Sequence, residues 1–146
     1  MIDAAKLLLD GPAKKAVPIH VIAAAEWTKT AKLLPPAQRE WAKAQAFEAK
    51  PGSLLHLAGA SGQLEAVYAG APKAGEDAFS LGAISSRLPE QVYAFEEPPE
   101  HAALVALGWA LELYKYDPFR TQSVRMAQLV VPKGVAHDEV VALANT

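Results

Sequence analysis

The chain has 146 residues, 51% of them hydrophobic and 21% charged, which suits one soluble domain and argues against disorder. Fourteen basic and sixteen acidic residues leave a net charge of −2, which argues against a nucleic-acid surface or a polybasic membrane anchor. With no cysteine, disulfides, thiolate metal sites and cysteine nucleophiles are excluded, and the composition fits a cytoplasmic protein.

Leu7, Leu8 and Leu9 make the first apolar run. Asp10, Gly11 and Pro12 stop it, too early for a signal-peptide core, and no run reaches membrane-spanning length. Residues 1–16 read as a short amphipathic or frayed extension, and 17–146 as a single α/β domain. VPIHVI, residues 17–22, is a strand by composition. Residues 26–34 then have helical spacing, with Trp27, Ala31 and Leu34 on one face. Pro35-Pro36 ends that helix, and Pro36 opens another that runs to about Phe47, with Trp41, Ala44 and Phe47 on one side. Pro51-Gly52 closes the helical pair.

Residues 53–58 and 64–69 change to strand character, joined by Gly59-Ala60-Ser61-Gly62-Gln63, a loop of hairpin length. A loop (70–76), a short helix (77–88) and a strand (91–96) follow. Pro98-Pro99 opens the clearest helix, 100–116. Its only polar stripe is His101, Gly108, Glu112 and Lys115, so it is buried on most sides. Asp117-Pro118 ends it, and residues 127–131 are an apolar strand. A last helix starts near His137 and runs to Thr146 without a Gly or Pro stop, the pattern expected of a domain cut short of a following one. Helices interleaved with strands give an α/β domain, and the hairpin makes its sheet mixed.

Chemistry-bearing residues are sparse. Glu96, Glu97, Glu100 and His101 are the densest acidic group, but acids in a first helical turn also satisfy the helix dipole. His20 and His56 lie in strands and read as half-buried structural residues. His137-Asp138-Glu139 reads as a helix cap. Gly59-Ala60-Ser61-Gly62 is not a nucleophile elbow, since position 63 is Gln, and a strand rather than a helix follows it. Lys29, Lys32, Arg39 and Lys43 are interrupted by Glu26 and Glu40, so they read as a solvated face.

Taken in order, five blocks resemble the amino-terminal domain of the leucyl aminopeptidase family. They are PIHVI, WTKTAKLLPPAQREWAKAQAFEAKPGSLLHLAGASGQLEAVYAG, FSLGAISSRLPEQVYAF, ALVALGWALELYKYDPFR and AQLVVP, across about residues 17–144. The most telling piece is Leu107-Gly108-Trp109-Ala110-Leu111 with Tyr114-Lys115-Tyr116 and Phe119-Arg120. Glu112-Leu113 departs from it, standing where a glycine is common in the family.

The resemblance implies a three-layer α/β/α fold with a macro-domain-like mixed sheet. It implies a parent enzyme that removes amino-terminal residues from peptides with two divalent metal ions, zinc or manganese. The metal ligands and catalytic arginine of such enzymes lie in a carboxy-terminal domain, so no catalytic, cofactor-binding or metal residue falls on any position here. The expected partners are that catalytic domain and further copies in a homohexamer, in the cytoplasm, with no membrane or nucleic acid. The alternative is a macro-like module binding a nucleotide or ADP-ribose, although the glycines here sit in a hairpin turn rather than at a helix start.

Overall fold

A computed structural model of the chain describes residues 4–11, 15–71, 79–115, 127–132 and 134–145. In chain order the elements are α1 (Ala4–Leu7), β1 (Leu8–Leu9), β2 (Val17–Ile22), α2 (Ala24–Leu33), α3 (Pro36–Ala44), β3 (Leu54–Ala58) and β4 (Leu64–Gly70). Then come α4 (Phe79–Gly82), a 3-10 turn (Ala83–Arg87), β5 (Val92–Phe95), α5 (Ala102–Lys115), β6 (Gln128–Val130) and α6 (His137–Ala144). The six strands form one sheet in the order β1-β6-β5-β2-β4-β3. Every pairing is parallel except the β3–β4 hairpin, which adds an antiparallel edge. Parallel strands require crossover connections, and the helices between strands supply them.

Strand side chains alternate between faces, so a strand can feed two cores, and β2, β3 and β4 do. Val17 and Ile19 of β2, Val67 and Ala69 of β4, Tyr93 of β5 and Leu129 of β6 are buried with α1, α4, α5 and α6. Ile22 of β2, Tyr68 of β4, and Leu55 and Leu57 of β3 are buried on the other side with Trp27, Ala42, Phe47 and Ala49. The helices thus lie on both faces, the layered mixed-sheet arrangement that the resemblance implies.

Four sequence expectations change. First, within the segment read as an amphipathic or frayed extension, Ala4–Leu7 is a one-sided helical turn and Leu8–Leu9 add a strand that was not expected. Leu8 pairs with Leu129 and Leu9 with Val130, and Ala4, Leu7 and Leu8 are buried. Three leucines are too few to signal a membrane-directed segment, but the last two of them form an edge strand. Second, Trp41 is not in the core; it is 48% exposed, and Ala42 is buried instead. Helix α3 stops at Ala44 because Ala46 turns left-handed (φ 54°) and lets the Phe47 amide donate back to the Ala42 carbonyl at 3.1 Å.

Third, of the segment expected as one helix over 77–88, the described part from Phe79 is a single α turn followed by a 3-10 turn. Fourth, the helix expected over 100–116 begins at Ala102, after a left-handed His101 (φ 56°), and its polar stripe is partly covered. Gly108 is buried and Glu112 half-buried, because α4 crosses α5 at backbone distance. A Cβ on Gly82 would stand 2.3 Å from the Val105 carbonyl oxygen and 2.6 Å from the Trp109 nitrogen, so only glycine fits there. The Ser86 hydroxyl donates to Glu112 Oε2 at 3.1 Å, and Ser85, itself buried, donates to the Trp109 carbonyl at 2.9 Å. Residues 116–120, including the Tyr116 and Phe119-Arg120 tail, and the loop residues 72–76 lie outside the described residues.

Candidate functional site

In open α/β sheets, ligands favour the carboxyl ends of the strands where neighbouring crossovers leave on opposite faces. Here that point lies between β2 and β5. The chain leaves β2 toward α2 on one face and β5 toward α5 on the other. At those ends His20 of β2 stacks on Tyr68 of β4, ring centroids 4.6 Å apart and planes 18° from parallel. Burial pushes the Tyr68 phenol up, and the Glu96 carboxylate beyond β5 adds to the rise, so Tyr68 keeps its proton at neutral pH. Tyr68 also meets the edge of Trp27 at 5.5 Å, which ties the stack to the α2 core. Sequence reading did not join His20 to Tyr68, because 48 residues separate them and only strand pairing brings them side by side.

The acidic group does not converge. Glu96, Glu97, Glu100 and His101 are all exposed, with His101 at 3.8 Å from Glu100. Among the described residues, no three His, Asp or Glu side chains gather closely enough to hold a metal ion. The described residues therefore offer the implied pair of divalent ions no fitting seat.

The remaining candidates have structural placements. His56 is half-buried on β3. Burial holds its imidazole below the ordinary histidine range, opposed by the nearby Arg87 carbonyl and assisted by the Arg87 charge. His137 does not cap α6 in the expected sense, since its side chain bonds no amide of that helix. Its Nε2 lies 2.9 Å from the Leu8 carbonyl and its Nδ1 3.1 Å from Asp138 Oδ1. Those two acceptors, with the Asp10 charge, push its pKa up. Asp138 and Glu139 do occupy the first turn of α6.

Gly59 to Gln63 forms the β3–β4 hairpin turn, with the Gly59 amide donating to the Gln63 carbonyl at 2.8 Å. On α2 and α3, Lys29, Lys32 and Lys43 are exposed among Glu26 and Glu40, and Lys43 pairs with Glu40 at 3.8 Å. Arg39 turns inward instead, and its guanidinium donates to the Leu34 carbonyl at 3.2 Å.

What the fold and its placements define is an α/β domain whose polar side chains chiefly tie elements together. Residues 17–132 match the family model described as M17 aminopeptidase, N-terminal domain, and the chain belongs to that family. No curated protein matches it by sequence. Among solved structures it is similar to the cytosol aminopeptidase from Coxiella burnetii, with a TM-score of 0.77 and 23% identity over 94% of this chain and 30% of that one. It is also similar to a mutant of tomato leucine aminopeptidase, with a TM-score of 0.55 and 13% identity over 94% of this chain and 34% of that one. The bottromycin maturation enzyme BotP has a TM-score of 0.53 and 20% identity over 88% of this chain and 29% of that one. At these identities the likeness shows the fold. The chain spans about a third or less of the length of each neighbour. These comparisons favour an aminopeptidase amino-terminal domain over an ADP-ribose module. No helix among the described residues is long and apolar enough to cross a membrane.

Proposed function

We propose that this chain is the non-catalytic amino-terminal domain of a leucyl aminopeptidase-like metallopeptidase. In this reading its partners are its own carboxy-terminal catalytic domain and, in the full-length protein, further copies in a hexamer in the cytoplasm. The observation that carries the reading is the family match over residues 17–132. The thin spread of acids supports it, since two-metal hydrolysis needs several carboxylates around ions a few ångströms apart. The parent's two divalent ions, zinc or manganese, would then be held in the catalytic domain. A solved structure of BotP in complex with Mn shows a fold neighbour with that metal.

The test is hydrolysis of a leucine anilide by the purified chain in the presence of manganese or zinc. The expected rate equals that of an identically prepared unrelated protein. A rate above that blank, abolished by chelation, overturns the proposal and makes the chain an enzyme in its own right.

A further inference from the structure

A β-sheet ends on two edge strands whose outward carbonyls and amides can pair with another chain. In this sheet the edges are β1 and β3. On β3, the Ser53 carbonyl accepts from the Gly70 amide toward β4, so the alternation of the strand turns the Leu54, His56 and Ala58 carbonyls outward. The last two are taken. The indole Nε1 of Trp41 donates to the His56 carbonyl at 2.8 Å, and Gln38 Nε2 donates to the Ala58 carbonyl at 3.3 Å. Gln38 and Trp41 lie three residues apart on α3, hence on one helix face.

Gln38 is also anchored by Glu65 Oε2 at 3.4 Å, on the neighbouring strand. A register shift between Leu57 and Ala58 further spoils the edge as a template. On β1 the arrangement repeats. The Leu9 carbonyl accepts from the Val131 amide, so the Leu8 carbonyl faces out, and His137 Nε2 donates to it. That edge is only two residues long.

We propose that nitrogen donors delivered from neighbouring helices occupy outward carbonyls on both edges of this sheet, and that at β3 the Gln38–Trp41 pair keeps two copies of the chain from joining edge to edge. The blocked occupant is a second β3 in antiparallel register, because an identical edge is the template present at the chain's own concentration. Neighbouring strands lie about 4.8 Å apart, and a side chain bonded to the His56 carbonyl stands in that space. The device also gives a role to an indole that is 48% exposed.

The test compares the chain with its Gln38→Ala/Trp41→Ala variant by sedimentation equilibrium across a concentration series. Far-UV circular dichroism confirms that both are folded. The variant is expected to rise toward about twice the weight-average mass of the unmodified chain, as a two-fold dimer forms. Adding Ala58→Pro, which removes an outward amide and places a ring on the open edge, should return the mass to the unmodified value. A folded double variant with unchanged mass overturns the proposal. So does a gain that Ala58→Pro leaves in place, since association would then use another surface. Should the double variant not fold, Trp41→Ala alone empties the space beside the His56 carbonyl and leaves that outward acceptor open. It should shift the mass in the same direction, and no shift overturns the proposal.

Discussion

The two faces of the sheet are built differently. On the face of α5 the core is wide and mostly aliphatic, gathering α1, α4, α5 and α6 around one aromatic pair, Tyr93 and Trp109, at 5.9 Å. Trp109 is fully buried, and its Nε1 donates to the Ala127 carbonyl at 3.1 Å, so one side chain joins α5 to the start of β6. On the face of α2 and α3 the core is small and aromatic. Trp27 meets Phe47 edge-on at 4.8 Å and Tyr68 at 5.5 Å, over β2, β4 and β3. The first face is held by burial and close backbone approach, the second by a few rings. Residues of the first should therefore carry more of the stability, and the second should tolerate more change.

Truncating the two buried tryptophans tests that contrast most severely. Trp109→Ala removes a ring with no solvent contact and leaves the Ala127 carbonyl without its donor, at a cost of about 5 kcal/mol. Trp27→Ala opens a cavity nearer the surface and should cost about 3 kcal/mol. Urea midpoints of both variants measure the difference. Equal midpoints would show that the two faces contribute alike.

Next come the close approaches, one at each layer. Gly82→Ala drives a methyl into the backbone of α5, and Gly70→Ala drives one to 1.9 Å from the Lys50 carbonyl in the loop after α3. Each should cost about 1–3 kcal/mol, with Gly82 the larger because the α4–α5 contact sits over the main core. Thermal unfolding of the two variants ranks them, and the reverse order would place the tighter constraint on the α3 side.

A stabilising change sharpens the comparison on the weaker face. Ala46 pays for a left-handed conformation at the end of α3, so Ala46→Gly should raise stability by about 0.5–1 kcal/mol. An unchanged or lower urea midpoint would sink that account of the helix end.

The smallest effects concern pH, and the two sheet edges oppose each other. His137 has a raised pKa when folded, so its stabilisation is complete below the unfolded value of about 6.5 and is lost as pH rises through the higher folded value. His56 has a lowered pKa, so its neutral form stabilises fully above about 6.5 and that stabilisation fades as pH falls. The midpoint difference between the chain and His137→Ala should shrink from pH 6 to pH 8. His56→Gln should make the chain less sensitive to acid. Parallel pH profiles for either variant and the unmodified chain would remove that histidine from the account.

The strands and helices were largely legible because their periods are local. VPIHVI alternates, the turn at Gly59 to Gln63 is short, and α5 is too apolar to be anything but buried. Trp41 defeated the same logic. Its spacing matches Phe47, and nothing local distinguishes a ring that packs inward from one whose N–H is drawn to a strand edge. His137 was misread for a similar reason, since a histidine in a helix's first turn suggests capping until the Leu8 carbonyl, 129 residues away, is placed beside it.

Composition and periodicity by themselves determined an α/β domain with a mixed sheet, a hairpin and a buried fifth helix, because those follow from residue patterns within one or two turns of chain. Tertiary structure alone decided which strand lies beside which, and with it the role of Leu8 and Leu9 as an edge and the stacking of His20 on Tyr68. It also decided that Gly82 must meet α5 at backbone distance. Each of these depends on contacts between segments far apart in sequence, and a side chain's partner across such a distance is fixed by packing rather than by its neighbours along the chain.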